Sequence, residues 1–150
     1  MQVGDIMTRD VKTAESGATF AEAAKILHEN RISSVVITEG TGIAGIVTER
    51  DLVNVVAEGL DPGKTSVGER MTRELATVDS RADIAEAARL MAERRIRHLP
   101  VVEKDSLIGV ISIRDLTTWA VQEMTGGHEL PDLERSQAAF AAHLEVKRAE

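Results

Sequence analysis

The hydrophobic positions of the chain fall into two kinds of pattern. Phe20, Ala23, Ala24 and Leu27 follow the i, i+3, i+4, i+7 spacing of one buried helix face, and Ile84, Ala87, Ala88 and Met91 repeat it. After each of these helices come short runs dominated by Val, Ile and Leu, at 34–38 and 43–48 and again at 99–102 and 107–112. Such runs predict strands that helices cover on at least part of both faces. Brief extended pieces at 11–13 and 75–78 precede the helices. Ser16 and Ser80 stand near the expected helix starts, with Glu22 and Glu86 in their early turns. Second helices open at Arg50-Asp51-Leu52 and Arg114-Asp115-Leu116. The predicted order of strand, helix, strand, strand, helix therefore occurs twice, an α/β (α+β) architecture.

The two occurrences are one sequence used twice. Residues 3–52 align without a gap on residues 67–116, and 20 of the 50 pairs are identical. Average residue usage would give about three. A single unit of this size makes only a marginal core, so the two halves are expected to pack together about a pseudo-two-fold axis. That axis would create two related clefts, and ligands favour such junctions. The expected organisation is repeat 1 at 1–57, a turn-rich linker at 58–66, repeat 2 at 67–121 and a helical tail at 122–150. In the tail, Gly126-Gly127 and Pro131 break the chain. A last helix over 133–147 carries a modest stripe of Leu133, Phe140 and Leu144, suited to packing, to dimer contact or to a partner.

Composition narrows the chemistry. The chain has no cysteine, which removes disulfides, thiolate zinc sites and thiol catalysis. Its formal charge is −7, so the basic face that nucleic acid requires is not global. The opening residues Met1-Gln2-Val3-Gly4-Asp5 have no basic or apolar leader character, and no run nears the roughly 18 apolar residues of a membrane span. A cytoplasmic protein without membrane or nucleic-acid partners is expected. The histidines His28, His98, His128 and His143 fall in different elements without metal-ligand spacing, and no catalytic carboxylate pair recurs. Two glycine motifs are turns. Gly40-Thr41-Gly42-Ile43-Ala44-Gly45 joins two strands, where a dinucleotide site needs a strand and a helix. The stretch from Gly59 to Thr65 has three residues between its glycines where a phosphate loop needs four.

Several segments recur in order at one spacing: Met7-Thr8 and Met71-Thr72, AEAAKIL and AEAARLM, RIRHLPVV at 95–102, and the closing GIVTERDL and GVISIRDL. Together, over residues 3–121, they resemble a tandem pair of cystathionine-β-synthase (CBS) domains, a Bateman module, of the stand-alone type. The resemblance implies a non-catalytic, disk-like pair, commonly a homodimer. It also implies regulatory binding of an adenosyl compound such as AMP, ADP, ATP, S-adenosylmethionine or NADH, with no obligatory cofactor.

The family's Ser/Thr-x-x-Asp motif maps onto Thr48-Glu49-Arg50-Asp51 and Ser112-Ile113-Arg114-Asp115. A carboxylate there can accept both ribose hydroxyls, and the hydroxyl and helix N-terminus can hold an anion. Simple helix capping would explain the same residues. By the same resemblance the adenine lies among Thr8, Val11, Lys12, Ile32 and Ser33 in one site. In the other it lies among Thr72, Leu75, Ala76, Ile96 and Arg97. The apolar members would equally serve as core. Arg50 and Arg114 are candidate phosphate contacts or partners of nearby carboxylates.

The halves differ before the central strand, where repeat 1 has Ser33-Ser34 and repeat 2 has Arg97-His98. The expectation is that the Asp51 cleft receives Arg97 and His98 across the junction and prefers phosphorylated ligands. The Asp115 cleft would then receive serines. A ligand-free dimerisation or protein-interaction module is the competing reading.

Overall fold

A computed structural model describes residues 1–126; the expected last helix, with Leu133, Phe140, Leu144, His128 and His143, lies outside the described residues. Two compact units divide the chain, Met1–Leu116 and a second that begins at Thr117. The first unit contains two three-stranded sheets and the helices that cover them. One sheet is β1 (Thr13–Glu15), β2 (Ser34–Glu39) and β3 (Gly42–Thr48), and the other is β4 (Val78–Asp79), β5 (His98–Glu103) and β6 (Ser106–Ser112). In each sheet the first pair is parallel and the second is an antiparallel hairpin. A short helix α1 (Val3–Ile6) opens the chain. Helices α2 (Phe20–Asn30) and α3 (Glu49–Ala57) belong to the first half, and α4 (Ile84–Arg94) and α5 (Ile113–Met124) to the second. No helix among the described residues is long and apolar enough to cross a membrane.

The helices start later than Ser16 and Ser80 suggested. Thr19 caps α2, accepting from the Glu22 N–H while the Glu22 carboxylate accepts from the Thr19 N–H, a reciprocal box. Asp83 caps α4 by accepting from the Ala85 N–H. The buried stripe is Phe20, Ala23 and Leu27 in one half and Ile84, Ala87 and Met91 in the other. Ala24 is only half-buried and Ala88 is exposed, because the sheet covers a narrower arc of each helix than the spacing allowed. Both helices end at an arginine in the left-handed conformation, Arg31 at φ 52° and Arg95 at φ 54°. The next residue closes the turn, with Ile32 donating to the Leu27 carbonyl and Ile96 to that of Met91. A residue with a Cβ in this conformation costs about 1–2 kcal/mol relative to the right-handed form.

The first strands also lie further along than the pieces at 11–13 and 75–78. β1 pairs from Thr13 because its register is fixed by β2, with Thr13 opposite Val36. Pro100 stands at the position of Val36. The Val36 N–H donates to the Lys12 carbonyl, and proline has no N–H to give to Ala76. β4 accordingly pairs only at Val78 and Asp79. The first glycine motif is the expected hairpin turn between β2 and β3, with Gly40 at φ 60°.

The two halves exchange their leading segments. Residues 1–8 pack on the second half: Val3 and Gly4 donate to the Ala82 and Ser80 carbonyls, and Thr8 and Val110 exchange both main-chain bonds. Residues 65–72 do the same to the first half. Val67 and Gly68 donate to Ala18 and Ser16, and Thr72 pairs with Ile46. Each methionine that opens a repeat is therefore buried in the other sheet. A Cβ on Gly109 would meet Met7 Sδ at 2.5 Å, and one on Gly45 would meet Met71 Sδ at 2.6 Å. The core of the first half counts Val67 and Met71 with Phe20, Leu27, Val35, Ile37, Val47 and Val55.

Candidate functional site

Both Ser/Thr-x-x-Asp motifs sit where the last strand of a sheet turns into a helix. In the first, Asp51 Oδ2 accepts from the Thr48 N–H at 2.7 Å and from the Thr48 hydroxyl at 3.2 Å. In the second, Asp115 Oδ2 accepts from the Ser112 N–H and hydroxyl, both at 2.7 Å. The capping role is thus real, and it is carried by one oxygen. Among the described residues no protein group donates to Oδ1 of either aspartate, so each carboxylate keeps an acceptor while its position is fixed.

All seventeen residues singled out from the sequence line one continuous cavity of about 540 Å³ within the first unit. Both motifs open on this space, because the two sheets present their strand ends to one junction. Lys12, Ser33 and Asp51 share it with Ala76, Arg97 and Asp115. The grouping of the leading threonines is also exchanged. Thr8 pairs beside Val110, two residues before Ser112, and Thr72 beside Ile46, two before Thr48. Val11 and Leu75 remain with their own halves, half-buried at the cavity wall like Ile32 and Ile96.

The residues that differ between the halves meet. Ser33 Oγ and His98 Nε2 lie 2.7 Å apart, a hydrogen bond that ties the two halves at the junction. His98 is pushed below the ordinary histidine pKa, first by burial and then by the Arg97 guanidinium beside it. Asp115 and Glu49 act in the opposite direction. His98 therefore lies in the field of carboxylates from both halves. Burial thus favours its neutral form.

Arg50, Arg97 and Arg114 make no ion pair or side-chain hydrogen bond to other described residues. Sequence reasoning missed Arg31 and Arg95, which also line the cavity. Their signal was present, since this is one of the positions identical in both repeats and each arginine sits where glycine is the usual choice. Asp10, Glu49 and Glu74 contribute carboxylates at the rim. Among the described residues no group of three or more histidine and acidic side chains is arranged to hold a metal ion.

Comparison with known proteins agrees with this geometry. The family model of the CBS domain matches residues 3–58 and 67–121. The CBS domain-containing protein YhcV of Bacillus subtilis is 30% identical over 132 residues, 87% of this chain and 94% of that protein. The crystal structure of the CBS-domain containing protein ATU1752 from Agrobacterium tumefaciens superposes with a TM-score of 0.75 at 34% identity, over 80% of this chain and 99% of that one. The CBS domain pair of protein MJ0100, solved in complex with 5′-methylthioadenosine and S-adenosyl-L-methionine, superposes with a TM-score of 0.77 at 26% identity, over 82% and 98% of the two chains. CBS domain pairs are regulatory modules, and this chain belongs to the CBS domain family as a tandem pair.

Proposed function

We propose that the chain is a sensor of an adenosyl compound, taking the ligand's ribose at Asp51 or Asp115 and passing its occupancy to a separate partner without turnover. The observation that carries this reading is the duplicated Ser/Thr-x-x-Asp corner. Both aspartates are held by one oxygen with the other oxygen unpartnered, on the wall of a shared cavity. The adenine would lie against Val11 and Ile32, or Leu75 and Ile96, with main-chain groups reading its edge. The Ala76 carbonyl, which Pro100 leaves without a donor, is suited to accept the exocyclic amino group. The adenosyl ligands of MJ0100 supply the precedent. Arg97 and His98 favour phosphorylated ligands, and their placement at the junction makes the two ribose sites unequal. Self-association as a homodimer in the cytoplasm is part of the same proposal.

A thermal-shift and calorimetric panel of adenosine, AMP, ADP, ATP and S-adenosylmethionine tests it. A ligand at 100 times its dissociation constant should add about 2.7 kcal/mol of stability. Asp51→Asn and Asp115→Asn retain a capping oxygen and should weaken binding to different extents, Asp51→Asn more for phosphorylated ligands. Absence of any shift across the panel would favour an interaction module that works without ligand.

A further inference from the structure

Two segments cross the junction between the halves of the first unit. One runs from Thr8, paired with Val110, to Thr13 at the start of β1; the other runs from Thr72, paired with Ile46, to Val78 at the start of β4. Both wall the cavity, the first through Asp10, Val11 and Lys12 and the second through Glu74, Leu75 and Ala76. Their leading ends are tied alike. Arg9 donates to the Gly4 carbonyl and Arg73 to that of Gly68, each at 2.9 Å. The Val11 N–H donates to the Arg9 carbonyl and the Leu75 N–H to that of Arg73, each at 3.0 Å. Their trailing ends differ. The Lys12 carbonyl accepts from the Val36 N–H at 3.2 Å, and Lys12 Nζ lies 2.9 Å from Asp10 Oδ2. The second segment has neither tie. Pro100, fully buried on the central strand of its sheet, has no N–H to give the Ala76 carbonyl, and Ala76 brings no cation to Glu74. Thr77 accordingly falls outside β4, where the matching Thr13 belongs to β1.

We infer that residues 73–77 are a movable strap across the cavity, unlatched by Pro100, and that residues 9–12 are its fixed counterpart. A segment anchored at both ends but unbonded towards the sheet it approaches opens at a lower free energy than the strands around it. Its anchors lie in different halves, Met71 and Thr72 in the first and Val78 in the second. Displacement of the strap therefore alters the tie between the halves from one side only. Whatever fills the cavity presses on a yielding wall at Leu75 and Ala76 and on a rigid one at Val11 and Lys12. Two identical repeats would lack this asymmetry of response. The inference goes beyond the sensor reading and does not rest on it.

Amide hydrogen exchange of the whole chain without ligand, resolved by residue, tests it. After correction for intrinsic rates, protection over residues 75–78 should be lower than over 11–14 by about fivefold, the worth of about one main-chain hydrogen bond. Pro100→Val restores the N–H with the side chain that repeat 1 carries at Val36, and Pro100→Ala restores it with a smaller one. Either variant, shown to be folded by its melting transition, should raise protection over 75–78 by about the same factor and leave 11–14 within about twofold of the parent. Equal protection of the two segments in the parent, within about twofold, overturns the inference, as does a difference that the Pro100 variants leave unchanged. Because no adenosyl compound is present, the result stands whether or not one binds, and failure of the strap leaves the sensor reading intact.

Discussion

His98 is the residue at which the two halves are most directly coupled. It hydrogen-bonds Ser33 of the other repeat and feels Arg97, Asp115 and Glu49. Its pKa is lowered in the folded chain, so the unfolded chain binds its proton more readily. Stability from this group is complete above the unfolded value of about 6.5 and is lost as pH falls through the lower folded value. Denaturant unfolding should show the parent losing stability as pH falls below about 6.5 relative to His98→Asn, which does not titrate there. Parallel curves for the two proteins over that range would show that the junction histidine is not uncoupled from solvent. The residue that differs most between the repeats was legible as a candidate in the sequence. Its hydrogen bond was not, because the partner is 65 positions away.

The elements show where reading by pattern succeeds. The hairpin strands were found within one residue at most ends, since their Val, Ile and Leu runs report burial directly. The helix starts were misplaced because Ser16 and Ser80 do tertiary work: their carbonyls accept from Gly68 and Gly4 of the exchanged segments. Thr19 and Asp83, three residues on, do the capping. β4 was overextended for a reason visible only once β5 is its neighbour, the missing N–H of Pro100. The close approach at Gly45 is of the same kind. A Cβ there would lie 2.7 Å from the Thr72 carbonyl oxygen, a main-chain atom held by its pairing with Ile46. Gly45→Ala should destabilise the chain by about 1–3 kcal/mol, measured as a lower denaturation midpoint. Gly42→Ala meets only a carbonyl at 3.7 Å and should be nearly neutral.

At the scale of the whole molecule, the repeat was evident and the exchange between its halves was not. An internal match of 20 in 50 establishes that two units exist, but periodicity cannot tell which unit a leading segment packs on. The shared cavity lining follows from the same fact, as each half lays a leading threonine against the last strand of the other. Since Val67 and Met71 complete the core of the first half, the first unit should unfold as one. Gly45→Ala and Gly109→Ala, placed in opposite halves, should each shift the same single calorimetric transition. Two separate transitions, each moved by one variant alone, would show independent halves. A fragment ending at residue 57, which lacks Val67 and Met71, should not fold cooperatively by itself.

The exchange of leading segments also bears on why the repeats share one polypeptide. A lone repeat would carry a sheet that needs another molecule's Met-Thr segment, so its folding would vary with protein concentration. The residues from Glu58 to Ser66 tether the donor to the acceptor, and Thr65 and Pro62 accept from the first amides of α2 on the way. The tether turns a bimolecular assembly step into closure of a short loop, at an effective concentration in about the millimolar range. A pair built in this way keeps the cavity between its halves assembled at any protein concentration, because neither half waits for a second molecule to complete its sheet.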